Sequence, residues 1–379
     1  MEIVFGVIVG LLALTFLVVV HELGHAISAR RNGVIVEEFG IGFPPRAWSK
    51  KLKNKVLLSI NWLPLGGFVK LQGEYDQADK QGDYGAANYW VKTKILLAGV
   101  FINWLTAAVL LTVLAVTGLP QMLPSQFSVE GDTKTYYQPV QLGALSADFP
   151  AAQAGLQSRD TILRFAGQEV KTTQAFIDLT REYKGQKVEV VYKRDGSEAT
   201  TSVKLKDEGK TLFGASIVQP TQTRSTWSAP IVGVGTAGQL TWETLKGIGG
   251  LVGNLVNGVT LQLVGNDEQR KAGSDEVAAA GDSVAGPVGI LGVIFPAAQQ
   301  AGLTTLVMLI AVISIALAVM NVLPIPALDG GRWFTMTIFK VLKKKLTKER
   351  EEKIQATGFL ILMALVVLVT VADVGKIIR

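Results

Sequence analysis

The chain contains four long apolar stretches, and most charged residues lie in the segments between them. The stretches cover residues 3–20, 95–119, 303–323 and 354–372. A helix needs about 20 apolar residues to cross a bilayer, so each stretch predicts one membrane-spanning helix. We therefore predict a polytopic α-helical membrane protein with four transmembrane helices.

Basic residues are unevenly distributed among the segments that connect these helices. Residues 29–94 contain 11 Lys or Arg and 6 Asp or Glu, and residues 324–353 contain 8 and 4. The long segment 120–302 contains 16 basic and 18 acidic residues and has no such excess. Because cytoplasmic loops are enriched in Lys and Arg, we expect the first two segments on the cytoplasmic side. The long segment and both termini are then expected to be extracytoplasmic.

Two further apolar runs need a separate interpretation. Residues 231–264 are Gly-rich and largely apolar, but Glu243 and Lys246 interrupt them. A crossing here would move the basic run at 343–345 to the wrong side, so we predict an amphipathic helix on the membrane surface. Residues 283–328 carry no charge, and we expect Gly286-Pro287 and Pro296 to break any helix in that run.

The long extracytoplasmic segment contains a predicted folded unit at residues 128–215. A short helix at 151–156 is followed by strands with alternating faces, and Arg194-Asp195-Gly196 is typical of a hairpin turn. The pattern resembles a PDZ domain of α+β class, and a generic small β-rich domain is the alternative.

These elements give one predicted organisation of the whole chain. In order, the segments are helix 1 (1–33), a cytoplasmic β-rich hairpin region (34–94), helix 2 (95–119), the PDZ-like domain (128–215), an amphipathic linker (216–300), helix 3 (301–340), and a basic loop with helix 4 (341–379).

Composition restricts the chemistry that is available. Hydrophobic residues make up 49% and charged residues 18% of the chain, and cysteine is absent. Disulfide scaffolds, thiolate metal sites and cysteine nucleophiles are thereby excluded. The net charge of +6 follows from the cytoplasmic loops, so we predict the lipid bilayer and no nucleic acid as a partner.

Both histidines of the chain fall in one motif at the end of helix 1, His21-Glu22-Leu23-Gly24-His25. A spacing of four residues places both imidazoles on one helix face, about 6 Å apart, where they can bind one zinc ion. Zinc with three protein ligands keeps a fourth position for water, and Glu22 is the natural general base. A polar motif that merely ends a transmembrane helix is the alternative.

The third zinc ligand must come from elsewhere in the chain, because no third histidine exists. Asp329 is the first charged residue after the long neutral run and directly follows Pro324-Ile325-Pro326-Ala327-Leu328. The prolines forbid a regular helix there, and Gly330-Gly331 permit close backbone approach, so we expect an extended segment that carries Asp329 to the histidines. An interfacial helix cap is the alternative role for Asp329.

The ordered set of motifs resembles the bacterial site-2 proteases. It comprises the HELGH motif, Asn321-x-x-Pro324-x-Pro326-x-Leu328-Asp329-Gly330-Gly331, the PDZ-like insert, Gly286-Pro287-Val288-Gly289-Ile290, and Pro64-Leu65-Gly66-Gly67-Phe68-Val69-Lys70. The resemblance implies an intramembrane zinc metalloendopeptidase with one zinc per chain, His21, His25 and Asp329 as ligands and Glu22 as base. It also implies a bacterial cytoplasmic (inner) membrane location, and anti-sigma factors or remnant signal peptides as substrate classes.

Substrate binding is predicted at two segments that are rich in glycine or proline. A transmembrane substrate must unwind before its carbonyls can be attacked. We expect the unwound segment, from a single-pass protein already cut by another protease, to add as a strand beside Gly66, Gly67, Phe68 and Val69. Asn321 and Pro324 are expected to contact its backbone.

Two other functions are compatible with the same motifs. A catalytically silent PDZ membrane scaffold could hold a structural zinc, but such sites normally have four ligands. A zinc transporter would need further ionisable groups along its path, and helices 2 and 4 contain none.

Overall fold

The computed structural model describes residues 2–74, 78–194, 196–209, 211–282 and 284–378. The helices are α1 (Glu2–Arg31), α2 (Tyr89–Thr117), α3 (Pro150–Gln153), α4 (Thr173–Glu182), α5 (Ala229–Val264), α6 (Asp267–Asp282), α7 (Pro287–Gly289), a π-helical turn (Ile290–Ile294), α8 (Phe295–Gln300), α9 (Leu303–Val322), α10 (Asp329–Val341) and α11 (Lys348–Ile378). The strands are β1 (Val36–Lys51), β2 (Leu57–Leu71), β3 (Leu119–Pro120), β4 (Lys134–Tyr137), β5 (Gln141–Leu145), β6 (Thr161–Phe165), β7 (Gln168–Glu169), β8 (Lys187–Arg194), β9 (Ser197–Lys204), β10 (Ala215–Val218) and β11 (Thr221–Arg224). The chain divides into a unit of residues 1–114 and 230–379 and a unit of residues 115–229.

Five of the described helices are long and apolar enough to cross a membrane, namely α1, α2, α5, α9 and α11. Four of them cover the predicted spans, although α2 begins at Tyr89 and α11 at Lys348, ahead of the apolar residues themselves. The fifth is α5, for which the sequence predicts a surface position. The chain is therefore a polytopic helical membrane protein with β-sheets, and length and composition alone would allow α5 to cross.

Strands β1 and β2 form the predicted hairpin, and this hairpin folds over on itself. Residues 38–41 of β1 pair with 67–70 of β2 on one side and with 57–60 on the other. Residues 57–60 also pair with 48–51. The two long strands therefore form four short paired segments, in the order 67–70, 38–41, 57–60 and 48–51. Both strands bend at glycines with positive φ, Gly42 at 78° and Gly66 at 89°, a conformation that side chains disfavour.

Helix α1 is packed closely by two other helices of its unit. A Cβ atom at Gly6 or Gly10 would lie under 3.0 Å from Pro296 or Phe295 of α8. Near the opposite end of α1, a Cβ atom at Gly24 would lie 2.7 Å from the Ala98 carbonyl oxygen of α2. Small residues thus bring the backbones of α8 and α2 against α1, as is common among membrane helices.

The prediction that Pro296 breaks a helix is wrong. The helix that begins at Pro287 continues through the π-helical turn and α8 to Gln300. The π-helical turn ends at Ile294, just before Pro296. Such a turn leaves room for the proline ring and tolerates the loss of the backbone hydrogen bond that proline cannot donate. The chain instead turns at Gly302, where φ is 103°.

The Gly286-Pro287-Val288-Gly289 segment is fixed by an aspartate near the end of α11. The buried Asp373 carboxylate accepts hydrogen bonds from the backbone N–H groups of Gly286, at 3.2 Å, and Gly289, at 2.7 Å. A Cβ atom at Gly286 would lie 2.7 Å from Asp373 Oδ2. The glycine therefore leaves room for the carboxylate.

The unit of residues 115–229 has a sheet with the strand order β10-β5-β6-β8-β9, and β7 pairs with β6. Strands β8 and β9 form the predicted hairpin, although Asp195 in its turn lies outside the described residues. Helix α4 covers the sheet, and its first turn is capped by the Thr172 hydroxyl, which accepts from the Ala175 N–H. Phe165, Phe176 and Phe213 pack edge to face in the core.

Candidate metal centre

The two histidines of the chain lie one turn apart on α1, as their spacing predicts. Their Nε2 atoms are 3.2 Å apart, and their ring planes are nearly perpendicular at 80°. Both residues are 8% exposed. The helix thus holds two buried imidazoles with their Nε2 atoms directed to one point.

Asp329 reaches these histidines from the first residue of α10. Its Oδ2 atom lies 3.0 Å from Nε2 of His21 and 3.2 Å from Nε2 of His25. The three possible ligand atoms lie within 4.8 Å of one another. Ligand atoms that bind one tetrahedral zinc at ~2.0–2.2 Å stand roughly 3.3 Å apart, so the donor set fits this ion.

A tight chain reversal places Asp329 there. The sequence predicts an extended segment before Asp329, but the structure contains a turn in which the Leu328 N–H donates to the Ile325 carbonyl. Pro326 provides its first central position and Ala327, at a φ of 76°, its second. Cβ atoms at Gly330 and Gly331 would lie 2.3 Å and 2.0 Å from backbone oxygens of Val322 and Ile325, so only glycines permit this approach.

Hydrogen bonds favour the ligand form of these residues. The Nδ1 atom of His25 lies 2.7 Å from the Ile95 carbonyl oxygen, so Nδ1 donates and leaves the Nε2 lone pair for an ion. The site therefore offers one carboxylate oxygen and two imidazole nitrogens as possible ligand atoms.

Asn103 of α2 is a residue of the site to which sequence reasoning assigns no role. Its amide nitrogen Nδ2 lies 3.3 Å from Nδ1 of His21, and the residue is 1% exposed. When Nε2 binds a metal, Nδ1 carries the ring proton and needs an acceptor. The Asn103 amide oxygen has no hydrogen-bond partner among the described residues, and rotating the amide by 180° would put this oxygen in place of Nδ2, where it can accept that proton. The sequence feature that could have pointed to this role is that Asn103 is the most polar residue within the apolar stretch 95–119.

Gly99 is the second residue that the sequence does not reveal. It lies one helical turn before Asn103, and a Cβ atom there would lie 2.5 Å from His25 Nε2 and 2.6 Å from His21 Cε1. The imidazoles therefore occupy the space that a side chain at position 99 would fill. A glycine in a helix is common enough that its position alone does not predict this role.

Glu22 faces the hairpin rather than the lipid. Its side chain lies beside β2, next to Gly67 and close to the Val69 backbone. A Cβ atom at Gly67 would lie 3.4 Å from Glu22 Cγ and 3.3 Å from Val18. The segment that contains Gly66, Gly67, Phe68 and Val69 therefore runs directly past Glu22.

The remaining sequence-predicted residues lie at the end of α9. The Asn321 amide nitrogen donates to the Leu317 carbonyl of its own helix at 2.9 Å, and the residue is half-buried. Pro324 is exposed in the segment that leads to the turn. The structure thus gives Asn321 an intrahelical hydrogen bond and leaves its substrate role as a prediction.

A polar pocket adjoins the metal centre. It has a volume of about 560 Å³, and its wall includes Asp329, Arg332, Glu351 and Gln355. Arg332 donates to the side chains of Glu351 and Glu74, each at 3.0 Å. Helices α10 and α11 and the end of the hairpin are thus joined beside Asp329.

Comparisons with known proteins agree with this geometry. The family model described as peptidase family M50 matches residues 9–365. The zinc metalloprotease RasP of Bacillus licheniformis is 28% identical, over 95% of this chain and 96% of its own. The regulator of sigma-W protease RasP of Bacillus subtilis is 26% identical, with the same coverage. A crystal structure of the PDZ domain of an SdrC-like protein from Listeria monocytogenes covers 22% of this chain and 93% of its own, at 29% identity and a TM-score of 0.20.

The family match spans nearly all of the chain and includes every residue of the candidate centre. The Bacillus licheniformis relative named above is a zinc metalloprotease. Apolar helices and a His, His, Asp cluster are the features that such an enzyme requires inside a membrane. The chain belongs to peptidase family M50 and is a zinc-dependent intramembrane protease of the site-2 type.

Proposed function

We propose that His21, His25 and Asp329 bind the catalytic zinc and that Glu22 is the general base for cleavage of transmembrane substrates. The observation that carries this proposal is the convergence of three ligand atoms within 4.8 Å from α1 and α10. The hydrogen bond from His25 Nδ1 to Ile95 and the Asn103 amide beside His21 support it, because metal-bound histidines usually have such partners.

In the proposed mechanism, Glu22 holds and moves the proton. A bound zinc ion supplies a Lewis acid for the scissile carbonyl and an activated water. The Glu22 carboxylate, which lies beside Gly67 of the hairpin, takes a proton from the attacking water and gives it to the leaving amine. Burial of the surrounding histidines excludes bulk water and strengthens these interactions.

The hairpin is the proposed docking edge for the unwound substrate. Residues 67–70 of β2 pair with 38–41 of β1, and within the described residues no second partner strand is recorded for them. Gly67 lies against Glu22, so a substrate strand added beside Gly66, Gly67, Phe68 and Val69 would pass the proposed base. This arrangement would bring the scissile bond to the metal.

Asn321 and Pro324 are proposed to contact the same unwound segment. The Asn321 amide nitrogen already donates to Leu317, so its oxygen is the atom left to accept a substrate N–H. An Asn321→Leu variant should retain zinc and lose cleavage. A variant that loses zinc as well would assign Asn321 a structural role instead.

Four crossings by α1, α2, α9 and α11 are the proposed topology, with α5 on the extracytoplasmic surface. Helix α6, which contains several charged residues, packs back on the end of α5, where Asn257 donates to Glu276 at 2.8 and 3.0 Å. A membrane-spanning α5 would draw these charges into the lipid, at about 2.5–3.5 kcal/mol for each one near the centre. The surface position avoids this cost.

The unit of residues 115–229 is proposed to be a PDZ-like domain on the extracytoplasmic side of a bacterial inner membrane. It would either bind a carboxy-terminus left by an earlier cut or exclude substrates with bulky ectodomains. The proposed substrates are single-pass membrane proteins, such as anti-sigma factors or remnant signal peptides. The name of the Bacillus subtilis relative, a regulator of sigma-W protease, is consistent with this class.

The decisive experiment is cleavage of a model transmembrane substrate by the purified chain with Glu22→Gln. We expect retained zinc and a rate at least ~100-fold lower, since positioned general bases contribute this much or more. Glu349→Gln, which changes an exposed carboxylate, is the matched control and should be fully active. Turnover by Glu22→Gln at the wild-type rate would refute the assigned base. A wild-type protein that binds zinc without cleaving would favour a scaffold or transporter.

A further inference from the structure

A basic pocket lies between the beginning of α2 and the end of α10. It has a volume of about 710 Å³, and four lysines line it, Lys92, Lys340, Lys344 and Lys345. Tyr89 and Phe339 contribute aromatic surface. Among the described residues of its wall, none is acidic. The pocket therefore presents concentrated positive charge beside apolar surface.

Direct contacts between α2 and α10 hold the walls of this pocket. The hydroxyls of Tyr89 and Thr337 lie 3.0 Å apart, and the Trp333 indole N–H donates to the Thr93 hydroxyl at 3.1 Å. The ammonium of Lys340 lies 3.5 Å from the centre of the Tyr89 ring. Lys92, on the next turn of α2, is 6% exposed. Two helices thus form one part of the pocket wall, and the segment that follows α10 forms the rest.

The end of α10 turns the other two lysines toward these walls. The Lys344 N–H donates to the Phe339 carbonyl and the Lys343 N–H to the Lys340 carbonyl, which is the Schellman pattern. Lys343 has a φ of 55°, the left-handed conformation that usually requires glycine. This reversal places Lys344 and Lys345 at the pocket.

The surroundings place the pocket at the polar boundary of the bilayer. Helix α2, one of the candidate spans, begins at Tyr89, and the adjacent Trp90 is 69% exposed, as is typical of an interfacial aromatic residue. On α10, Phe334, Ile338 and Val341 form an exposed apolar face. A helix with such a face lies in the plane of the interface.

We propose that this pocket binds the phosphate headgroup of an anionic phospholipid. The four lysines complement a phosphodiester, and the exposed apolar face of α10 leaves the acyl chains in the bilayer beside the site. Basic pockets between membrane helices on the cytoplasmic side bind such headgroups in other proteins. The bound lipid ties α2, which carries Asn103, to α10, which begins at Asp329. The proposal does not depend on the proposed catalytic roles.

The test measures phospholipid bound to the intact chain in nanodiscs of phosphatidylcholine with a minor fraction of phosphatidylglycerol. The variant is Lys340→Gln with Lys344→Gln and Lys345→Gln. Each lysine near an anionic surface contributes about 1 kcal/mol, so the loss of three should weaken phosphatidylglycerol binding roughly 100-fold. The matched control removes three exposed lysines of the hairpin, Lys50, Lys51 and Lys53, and should bind within about twofold of the wild type.

Several results would overturn the proposal. Unchanged binding by the triple variant, equal loss in the hairpin control, or equal retention of phosphatidylcholine would each show that the pocket is not a specific lipid site. Displacement of the lipid by equimolar inorganic phosphate would identify a site for soluble anions instead. If the triple variant does not fold, Lys344→Gln with Lys345→Gln provides the same comparison, and arginines at the three positions should restore binding.

Discussion

The Nε2 atom of His21 lies 3.0 Å from Oδ2 of Asp329, although 308 residues separate the two in sequence. Each side chain alone would be an expensive polar group near lipid. Together with His25 they form one compact donor set, which only a common cation satisfies fully. Under the proposed assignment, the stability of this contact and the chemistry of the enzyme depend on the same ion.

Asp329→Asn should remove zinc from the protein. The amide lacks the negative charge that complements the ion, so we expect zinc affinity to fall at least about 100-fold, beyond the effect of an outer hydrogen-bond partner. Zinc per chain, measured by elemental mass spectrometry, and cleavage should fall together. Asp79→Asn, at an exposed position, is the control and should retain one zinc. Full zinc occupancy in Asp329→Asn would show that the aspartate is not a ligand.

Asn103→Leu should weaken zinc binding without removing a ligand. His21 Nδ1 would lose the amide group that lies beside it, and outer-shell losses of this kind typically cost about 10–100-fold in affinity. Competition against a chelator measures the change. Thr106→Val is matched to it, because Thr106 lies on the same helix and bonds only to the Ile102 carbonyl in the described contacts. Equal zinc affinity in both variants would reduce Asn103 to a packing role.

Gly99→Ala should disrupt the metal centre through steric overlap. The new methyl group would lie 2.5 Å from His25 Nε2 and must displace an imidazole. We expect loss of zinc together with a lower melting temperature. Gly247→Ala on α5 has open space and should be neutral or stabilising by up to about 1 kcal/mol, as in other helices. A zinc-loaded Gly99→Ala protein would contradict the close packing of α2 on this site.

Glu351→Gln should destabilise the protein more than Glu74→Gln does, although both carboxylates accept from Arg332. The Glu351 side chain is 6% exposed and that of Glu74 is 40% exposed. Breaking a buried ion pair costs about 3–5 kcal/mol, whereas a solvated pair contributes about 0–1 kcal/mol. Thermal unfolding in neutral detergent compares the two variants. Equal shifts would show that burial of Glu351 does not govern this cluster.

Asp132 should make the unit of residues 115–229 sensitive to acid. Hydrogen bonds from Ser228 and Thr226 hold the pKa of the Asp132 carboxyl well below its usual range. A depressed pKa stabilises the folded form above the unfolded pKa near 3.8, and this contribution disappears as pH falls through the folded pKa. Amide exchange at Thr226 and Ser228 should therefore be faster in Asp132→Asn at pH 7, and the difference should shrink below about pH 4. A difference that is constant with pH would contradict the role of the charge.

Local patterns in the sequence determine much of this protein. Length and hydropathy predict α1, α2, α9 and α11, because a bilayer demands about 20 apolar residues wherever a helix crosses. The spacing of His21 and His25 fixes their common face, because helix periodicity is a local property. Both results follow from interactions within a few residues of one another.

Only the tertiary structure decides what joins these local elements. It shows that Gly99 and Asn103 of α2 complete the surroundings of the histidines, and that a turn at Pro326 and Ala327 aims Asp329. It also shows that Pro296 continues a helix, because a π-helical turn precedes it. Contacts between distant segments depend on backbone approach and side-chain volume, and neither leaves a periodic signal in the sequence.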